Sequence, residues 1–86
     1  MKQFTYTIND PLGIHARPAG LLAKTAKEYA DTQITLKKGE NEVRATQLMK
    51  LMALGIKQGD QVTVSADGPS EAEAASAMQK FLEENL

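Results

Sequence analysis

The single histidine, His15, lies two positions before Arg17 in the segment 13–19, GIHARPA. Imidazole is the one side chain whose charge ordinarily changes near neutral pH, and a free ring nitrogen can act as a nucleophile. A guanidinium can bind two phosphate oxygens at once. These two residue types at this spacing predict a site that binds and accepts an anionic group such as a phosphoryl group.

The position of His15 supports this interpretation, because the residues after it begin a predicted helix. The first N–H groups of a helix have no partner within the helix, and the helix dipole is positive at that end. Ala16 and Arg17 can therefore donate main-chain N–H groups to a phosphate, and Pro18 is tolerated in the first turn without one. A histidine that only caps the helix, beside an exposed arginine, fits the same pattern, so the pair alone leaves both interpretations open.

Alternation of apolar and polar residues predicts four strands, each with one buried face. The alternating apolar residues are Phe4, Tyr6 and Ile8 in the first strand, Ile34 and Leu36 in the second, Val43 and Ala45 in the third, and Val62, Val64 and Ala66 in the fourth. Residues 39–41 (GEN) separate the second and third strands and predict a hairpin turn.

Three further segments have helical spacing. The first runs from about residue 16 to about residue 29, and its apolar stripe consists of Ala19, Leu22, Ala23, Ala26, Tyr29 and Ala30. The second covers residues 47–54 and ends before Gly55, a residue type favoured just past a helix C-terminus. The third follows a predicted capping box at residues 70–73, SEAE, and its apolar stripe consists of Ala74, Ala77, Met78, Phe81 and Leu82.

The predicted order of elements is β-α-β-β-α-β-α. Because every strand alternates, one face of the sheet is solvated and all helices must cover the other face. The sequence therefore predicts an α+β fold, an open-faced two-layer sandwich of a four-stranded, largely antiparallel sheet and three helices. We expect residues 1–86 to form one domain, since a chain of 86 residues supports a single core.

Composition restricts the chemistry further. The chain has no cysteine, which excludes disulfides and thiolate catalysis. A net charge of −1 and 5% aromatic residues argue against a nucleic-acid-binding module. The sequence has no Gly-rich nucleotide loop and no histidine-carboxylate cluster, so we predict no cofactor and no metal. The N-terminal segment MKQFTYTIND lacks a continuous apolar run, which predicts a cytoplasmic protein without a signal peptide or membrane anchor.

Large apolar residues are expected on the surface beside His15. Leu21 lies opposite the apolar stripe of the first helix and shares its exposed side with Arg17, Gly20 and Lys24. In the second helix the apolar residues surround the axis, and a short helix in a two-layer fold cannot bury all of them. They either complete the core or form, with Leu21, an apolar patch with a cationic rim that suits an acidic protein partner.

The whole chain resembles the histidine-containing phosphocarrier (HPr) family of the bacterial phosphoenolpyruvate-dependent sugar phosphotransferase system. Residues 13–19 (GIHARPA) resemble its active-centre motif residue for residue. Residues 48–56 (LMKLMALGI) resemble its second-helix motif, and residues 62–68 (VTVSADG) resemble its last strand.

This resemblance implies that His15 accepts a phosphoryl group on Nδ1 from phospho-enzyme I and passes it to the IIA unit of a sugar transporter. It implies that Arg17 and the N–H groups of Ala16 and Arg17 hold the phosphate. It also implies that both partners dock on Gly20, Leu21, Lys24, Leu48 and Met52. Such a protein is a phosphoryl carrier rather than a turnover enzyme, and we expect it to be a monomer.

One difference from the family concerns regulation. Many members carry, at the start of the second helix, a serine that a dedicated kinase phosphorylates. Alignment on residues 54–56 (LGI) puts Gln47 at this place, and Thr46 is one residue away, where it would point in a different direction. The resemblance therefore does not extend to regulation by serine phosphorylation.

A regulatory interaction protein that uses the same patch is the alternative to a carrier. Such a protein would control an enzyme or a transcription regulator by contact alone. The presence of both His15 and Arg17 favours the carrier, because a pure regulator could act without the histidine.

Overall fold

The computed structural model describes all 86 residues, from Met1 to Leu86. Its strands are β1 (Lys2–Thr7), β2 (Gln33–Lys38), β3 (Asn41–Arg44) and β4 (Gln61–Asp67). Its helices are α1 (Ala16–Lys27), α2 (Leu48–Ala53) and α3 (Glu71–Asn85). The order is β-α-β-β-α-β-α, as the hydrophobic pattern predicts. None of the three helices has the length and apolar composition needed to cross a lipid bilayer.

The four strands form one sheet in the order β1-β4-β2-β3, and every neighbouring pair is antiparallel. Because β4 lies between them, β1 and β2 run in the same direction without sharing hydrogen bonds. Thr7 pairs with Gln61 at one end of the sheet, and Gln33 pairs with Asp67 at the other. The predicted antiparallel sheet is confirmed, and its register determines which loops meet at each end.

One face of the sheet forms the floor of the core. The side chains that alternate along its central strands are buried, namely Ile34, Leu36, Val62, Val64 and Ala66. Helices α1 and α3 contribute Ala19, Leu22, Ala23, Ala26, Ala74, Met78 and Leu82 to the same cluster. The opposite face carries polar side chains such as Gln3, Thr5 and Lys37, which are exposed. The predicted open-faced two-layer sandwich is therefore confirmed.

The 55–60 loop before β4 is fixed at the end of the sheet where β1 ends. The Lys38 ammonium group forms an ion pair with Asp60 at 2.9 Å and donates to the carbonyl oxygen of Gly55 at 2.9 Å. The hydrogen bond from Lys38, followed by one from the N–H of Lys57, lowers the pKa of the Asp60 carboxyl. The N–H of Ile8 donates to the Asp60 carbonyl oxygen at 2.9 Å. This loop thus forms a firm support for the segment that leads from β1 into α1.

Helix α1 ends two residues earlier than its hydrophobic pattern predicts. The N–H groups of Glu28 and Tyr29 donate to carbonyl oxygens three residues back, each at 3.2 Å, and these short bonds tighten the last turn. The chain then leaves the helical path, and Ala30 is exposed. The assignment of Ala30 to the apolar stripe is therefore wrong, whereas Tyr29 packs against the core from the loop.

Residues 70–73 do not form the predicted capping box. Ser70 precedes α3, but its hydroxyl makes no cap hydrogen bond. The hydroxyl donates instead to the Asp31 carboxylate at 3.0 Å, and the Ser70 N–H donates to the Thr32 hydroxyl at 2.9 Å. A hydrogen bond to a charged carboxylate is stronger than one between neutral groups, and the bonds to the segment before β2 take the place of the local cap.

Gly13 brings the loop before α1 into direct contact with the 55–60 loop. Its φ of 67° lies in the left-handed region, and a Cβ at this position would overlap the Ile56 carbonyl oxygen and lie 2.7 Å from the Cα of Lys57. The N–H of Ile14 donates to the same carbonyl oxygen at 3.2 Å. Both the backbone conformation and the close approach therefore require glycine.

We expect Gly13→Ala to lower the free energy of unfolding by about 2 kcal/mol or more, because the left-handed conformation alone costs on the order of 1–3 kcal/mol in other residues. Gly20→Ala is the control, since nothing lies within 4 Å of a Cβ at that helical position. Alanine is favoured over glycine there by about 1 kcal/mol. Urea unfolding measures both, and equal stability of the two variants would contradict the close approach at Gly13.

Candidate functional site

His15 is the N-cap residue of α1. Its backbone is extended, with φ −121° and ψ −177°, and its side chain makes no cap hydrogen bond. The His15 carbonyl oxygen accepts the first intrahelical bond, from the N–H of Ala19 at 2.9 Å. The side chain is 39% exposed. The imidazole therefore has no helix-capping role and faces solvent at the start of the helix.

Two main-chain donors lie beside this ring. The N–H groups of Ala16 and Arg17 precede the first intrahelical hydrogen bond and so have no partner within α1. Both residues are exposed, and the Arg17 guanidinium makes no ion pair. Pro18 is buried and fixes the first turn of α1 against the core. One helix end thus presents an imidazole, a guanidinium and two unpaired N–H groups.

A shallow cleft surrounds the ring. Its lining residues are Asp10, His15, Arg17, Pro18, Leu21 and Asn85. Asp10 and Asn85 are the two that sequence analysis does not identify. The sequence signal that could have identified Asp10 is its position, since it is a carboxylate five residues before the only histidine with a turn between the two. Asn85 carries no such signal, because its position depends on how α3 packs.

Helix α2 is held by one fully buried side chain, Leu51, whose burial contributes about 1.5–3 kcal/mol. Leu48, Met49 and Met52 are 37%, 77% and 40% exposed, and Leu21 on α1 is 42% exposed. Helices α1 and α2 pack against each other. The prediction that Leu21 and part of α2 face outward is confirmed, and Met49 adds to the exposed apolar area.

Cations accompany these exposed apolar side chains along α1. Lys24 is exposed one turn after the half-buried Gly20. The first turn of α1 contains no acidic residue, and its last turn contains Lys24 and Lys27. Helix α1 therefore combines the exposed Leu21 with positive charge, the combination that a partner with an acidic surface would bind.

Gln47 and Thr46 lie apart from the His15 cleft. Gln47 is the exposed N-cap residue of α2, and its side chain makes no cap hydrogen bond. Thr46 is half-buried and lines a groove together with Lys27, Arg44 and Asp67. Asp67 marks the end of the sheet opposite to Thr7, so this groove is separate from the imidazole. No group of three or more His, Asp or Glu side chains is arranged to hold a metal ion.

Comparison with known proteins identifies the family. Residues 2–84 match the family described as the PTS HPr component phosphorylation site. The chain belongs to the HPr family. It is 40% identical over 85 residues to the phosphocarrier protein HPr of Mycoplasma genitalium, which covers 99% of this chain and 97% of that relative. The resemblance of the whole chain to this family is confirmed, and this HPr-family chain is a phosphoryl carrier of the phosphotransferase system.

Solved HPr structures share the fold. HPr-C-His from Thermoanaerobacter tengcongensis has a TM-score of 0.92 and 39% identity, and the match covers 98% of this chain and 93% of that chain. A mycoplasmal histidine-containing phosphocarrier protein has a TM-score of 0.92 and 34% identity, and covers 96% of this chain and 93% of that chain. HPr membership implies interaction with components of the phosphotransferase system such as enzyme I and IIA. These relatives favour the carrier over the regulatory alternative.

Proposed function

We propose that His15 is the residue that carries the phosphoryl group and that Nδ1 is the accepting atom. Phospho-enzyme I is the donor, and the IIA unit of a sugar transporter is the acceptor. The observation that carries this proposal is the position of the ring, which is exposed at the N-cap of α1 and free of any cap hydrogen bond. It is also the only imidazole in the chain.

The N-terminal turn of α1 supplies the groups that hold the phosphate. The unpaired N–H groups of Ala16 and Arg17 and the free Arg17 guanidinium can meet the negative charge of its oxygens. Phosphoryl transfer depends mostly on positioning and on charge stabilisation, since little other chemistry is required of the protein. The two main-chain donors are held by the helix before the phosphoryl group arrives, so they need no rearrangement to meet it.

The shape of the site suits a carrier that meets two partners in turn. A deep pocket would hide the ring from a second protein, whereas the shallow cleft around His15 leaves it accessible. We assign Gly20, Leu21, Lys24, Leu48 and Met52 to the surface on which enzyme I and IIA dock. A single exposed site shared by both partners needs no second copy of the chain, so we propose that residues 1–86 act as a one-domain, cytoplasmic monomer.

Incubation with phosphoenolpyruvate and enzyme I should add one acid-labile phosphoryl group to the native chain and none to His15→Ala. Intact mass before and after acid treatment measures this gain. Because the His15 side chain is 39% exposed, the variant should keep the native circular dichroism spectrum. Phosphorylation of His15→Ala at the native level would contradict the assignment.

Ala16→Pro should slow phosphorylation by about tenfold or more, because a hydrogen bond to a charged group contributes about 1.5–3 kcal/mol. Proline is tolerated at the first helical position, and the extended backbone of His15 suits a residue before proline. The initial rate of phosphorylation by enzyme I is the measurement. A native rate in a natively folded variant would mean that the Ala16 N–H does not hold the phosphate.

Leu21→Glu should raise the KM of enzyme I for this carrier about tenfold with little change in kcat, because apolar contact at the centre of an interface is worth more than 1 kcal/mol and the new charge repels an acidic partner. Ala30→Glu is the matched control, since Ala30 is exposed just beyond the opposite end of α1. Equal KM values for the two variants would show that Leu21 lies outside the docking surface.

A further inference from the structure

Asp10 and His15 face each other across the cleft. The distance from Asp10 Oδ2 to His15 Nε2 is 4.0 Å, with the side chains 25% and 39% exposed. This separation is too long for a hydrogen bond, but it is short enough for a modest attraction once the ring carries a positive charge. The other ring nitrogen, Nδ1, is therefore the one left without a carboxylate beside it.

The Asp10 carboxylate is held in place by the main chain around it. The Asp10 N–H donates to the Leu86 main-chain oxygen at 2.8 Å, and the Asp10 carbonyl oxygen accepts from the Gly13 N–H at 2.9 Å. Its Oδ1 accepts from the Leu12 N–H at 2.8 Å. Oδ1 is thus committed to the turn, whereas Oδ2 has no hydrogen-bond partner and faces the ring.

We propose that Asp10 is a positioning residue for His15: its carboxylate keeps the ring proton on Nε2, so that the Nδ1 lone pair is free to accept the phosphoryl group. This inference rests on the proposed phosphorylation of His15. It adds a function for Asp10 in both halves of the carrier cycle, acceptance and delivery.

The charge balance of the cycle shows where the carboxylate acts. The Nδ1 lone pair attacks phosphorus of phospho-enzyme I, the Nδ1–P bond forms, and the bond between phosphorus and the donor breaks with its electron pair returning to the donor. The proton on Nε2 stays in place, so the phosphorylated ring is a cation beside Asp10. On delivery a nucleophile of the IIA unit forms a bond to phosphorus, and the Nδ1–P bond breaks with its electron pair returning to Nδ1. Because Nε2 keeps its proton, the leaving group is a neutral imidazole, which departs more readily than an imidazolate.

The charged groups that face the ring are few. Asp10 approaches from the loop after β1, and Arg17 belongs to α1. From α3 the facing side chain is the uncharged amide of Asn85, and the adjacent Leu86 contributes its main-chain oxygen to the Asp10 N–H. Asp10 is therefore the one carboxylate among the side chains that line the cleft, and its removal should shift the protonation of the phosphorylated ring toward lower pH.

The test compares the rate at which phosphorylated chain loses its phosphoryl group between about pH 6 and pH 9 in the native protein and in Asp10→Asn. The asparagine retains an oxygen to accept the Leu12 N–H and removes only the charge. Exposed ion pairs contribute little free energy, so the expected effect of Asp10→Asn is small. We expect its pH profile to be displaced by about half a pH unit to lower pH, which makes the rate of phosphoryl loss about threefold lower on the alkaline side. Loss of phosphate is followed by intact mass after enzyme I is removed.

Two controls separate charge from structure. Asp67→Asn makes the same charge change at the opposite end of the sheet and should leave the profile in place. Asp10→Ala should displace the profile as Asp10→Asn does, and should also lower the melting temperature because the turn loses its bond to Leu12.

The proposal is overturned if the Asp10→Asn profile superimposes on the native one. It is also overturned if Asp67→Asn displaces the profile equally, or if only Asp10→Ala does so. A native chain that takes up no phosphoryl group on His15 would instead contradict the proposed function, so the two failures are distinguishable.

Discussion

The contact between Gly13 and the 55–60 loop is the constraint on which the site depends. The glycine lets the main chain lie against Ile56, and the Ile14 N–H bonds to the same carbonyl oxygen. With Ile14 buried, the next residue must leave the core, and the chain turns directly into α1 with His15 at its cap. Because the 55–60 loop is itself held by Lys38 and Asp60, the imidazole is positioned by the fold rather than by bonds to its own ring. For that reason the ring nitrogens of His15 remain available for phosphoryl transfer.

Most of the fold could be predicted from the sequence. In a two-layer protein each strand and helix buries one face, so its apolar residues recur at a regular spacing. Strands with one solvated face alternate strictly, and the helices that cover the other face repeat their apolar residues every three or four positions. Prediction failed at two positions, at one because tertiary contacts replace a local one and at the other because a helix end tightens. Ser70 has the residue type of a cap, but Asp31 and Thr32 take its hydrogen bonds. Ala30 has the spacing of the stripe, but the last turn of α1 tightens before reaching it.

The site was predictable to the extent that it is local in sequence. His15, Ala16 and Arg17 share one turn, and the physics of a helix start relates them without knowledge of the rest of the chain. The exposure of Leu21 could also be inferred, since a helix on one side of a sheet has a definite outer face. The roles of groups that other elements bring to the site could not be inferred from the sequence. The role of Asp10 is visible only in the structure, because the folded loop turns its second carboxylate oxygen toward the ring.

The most direct test of the central claim is an NMR comparison of the chain before and after phosphorylation, with nitrogen-15 in both the imidazole ring and the backbone. We predict that phosphorus couples to Nδ1 of His15 and that the amide protons of Ala16 and Arg17 move strongly downfield, as expected when they begin to donate to phosphate oxygens. Amides near Asp67, at the other end of the sheet, should move little. Coupling to Nε2, or unmoved amide signals at Ala16 and Arg17, would contradict a phosphoryl group held on His15 by the first turn of α1.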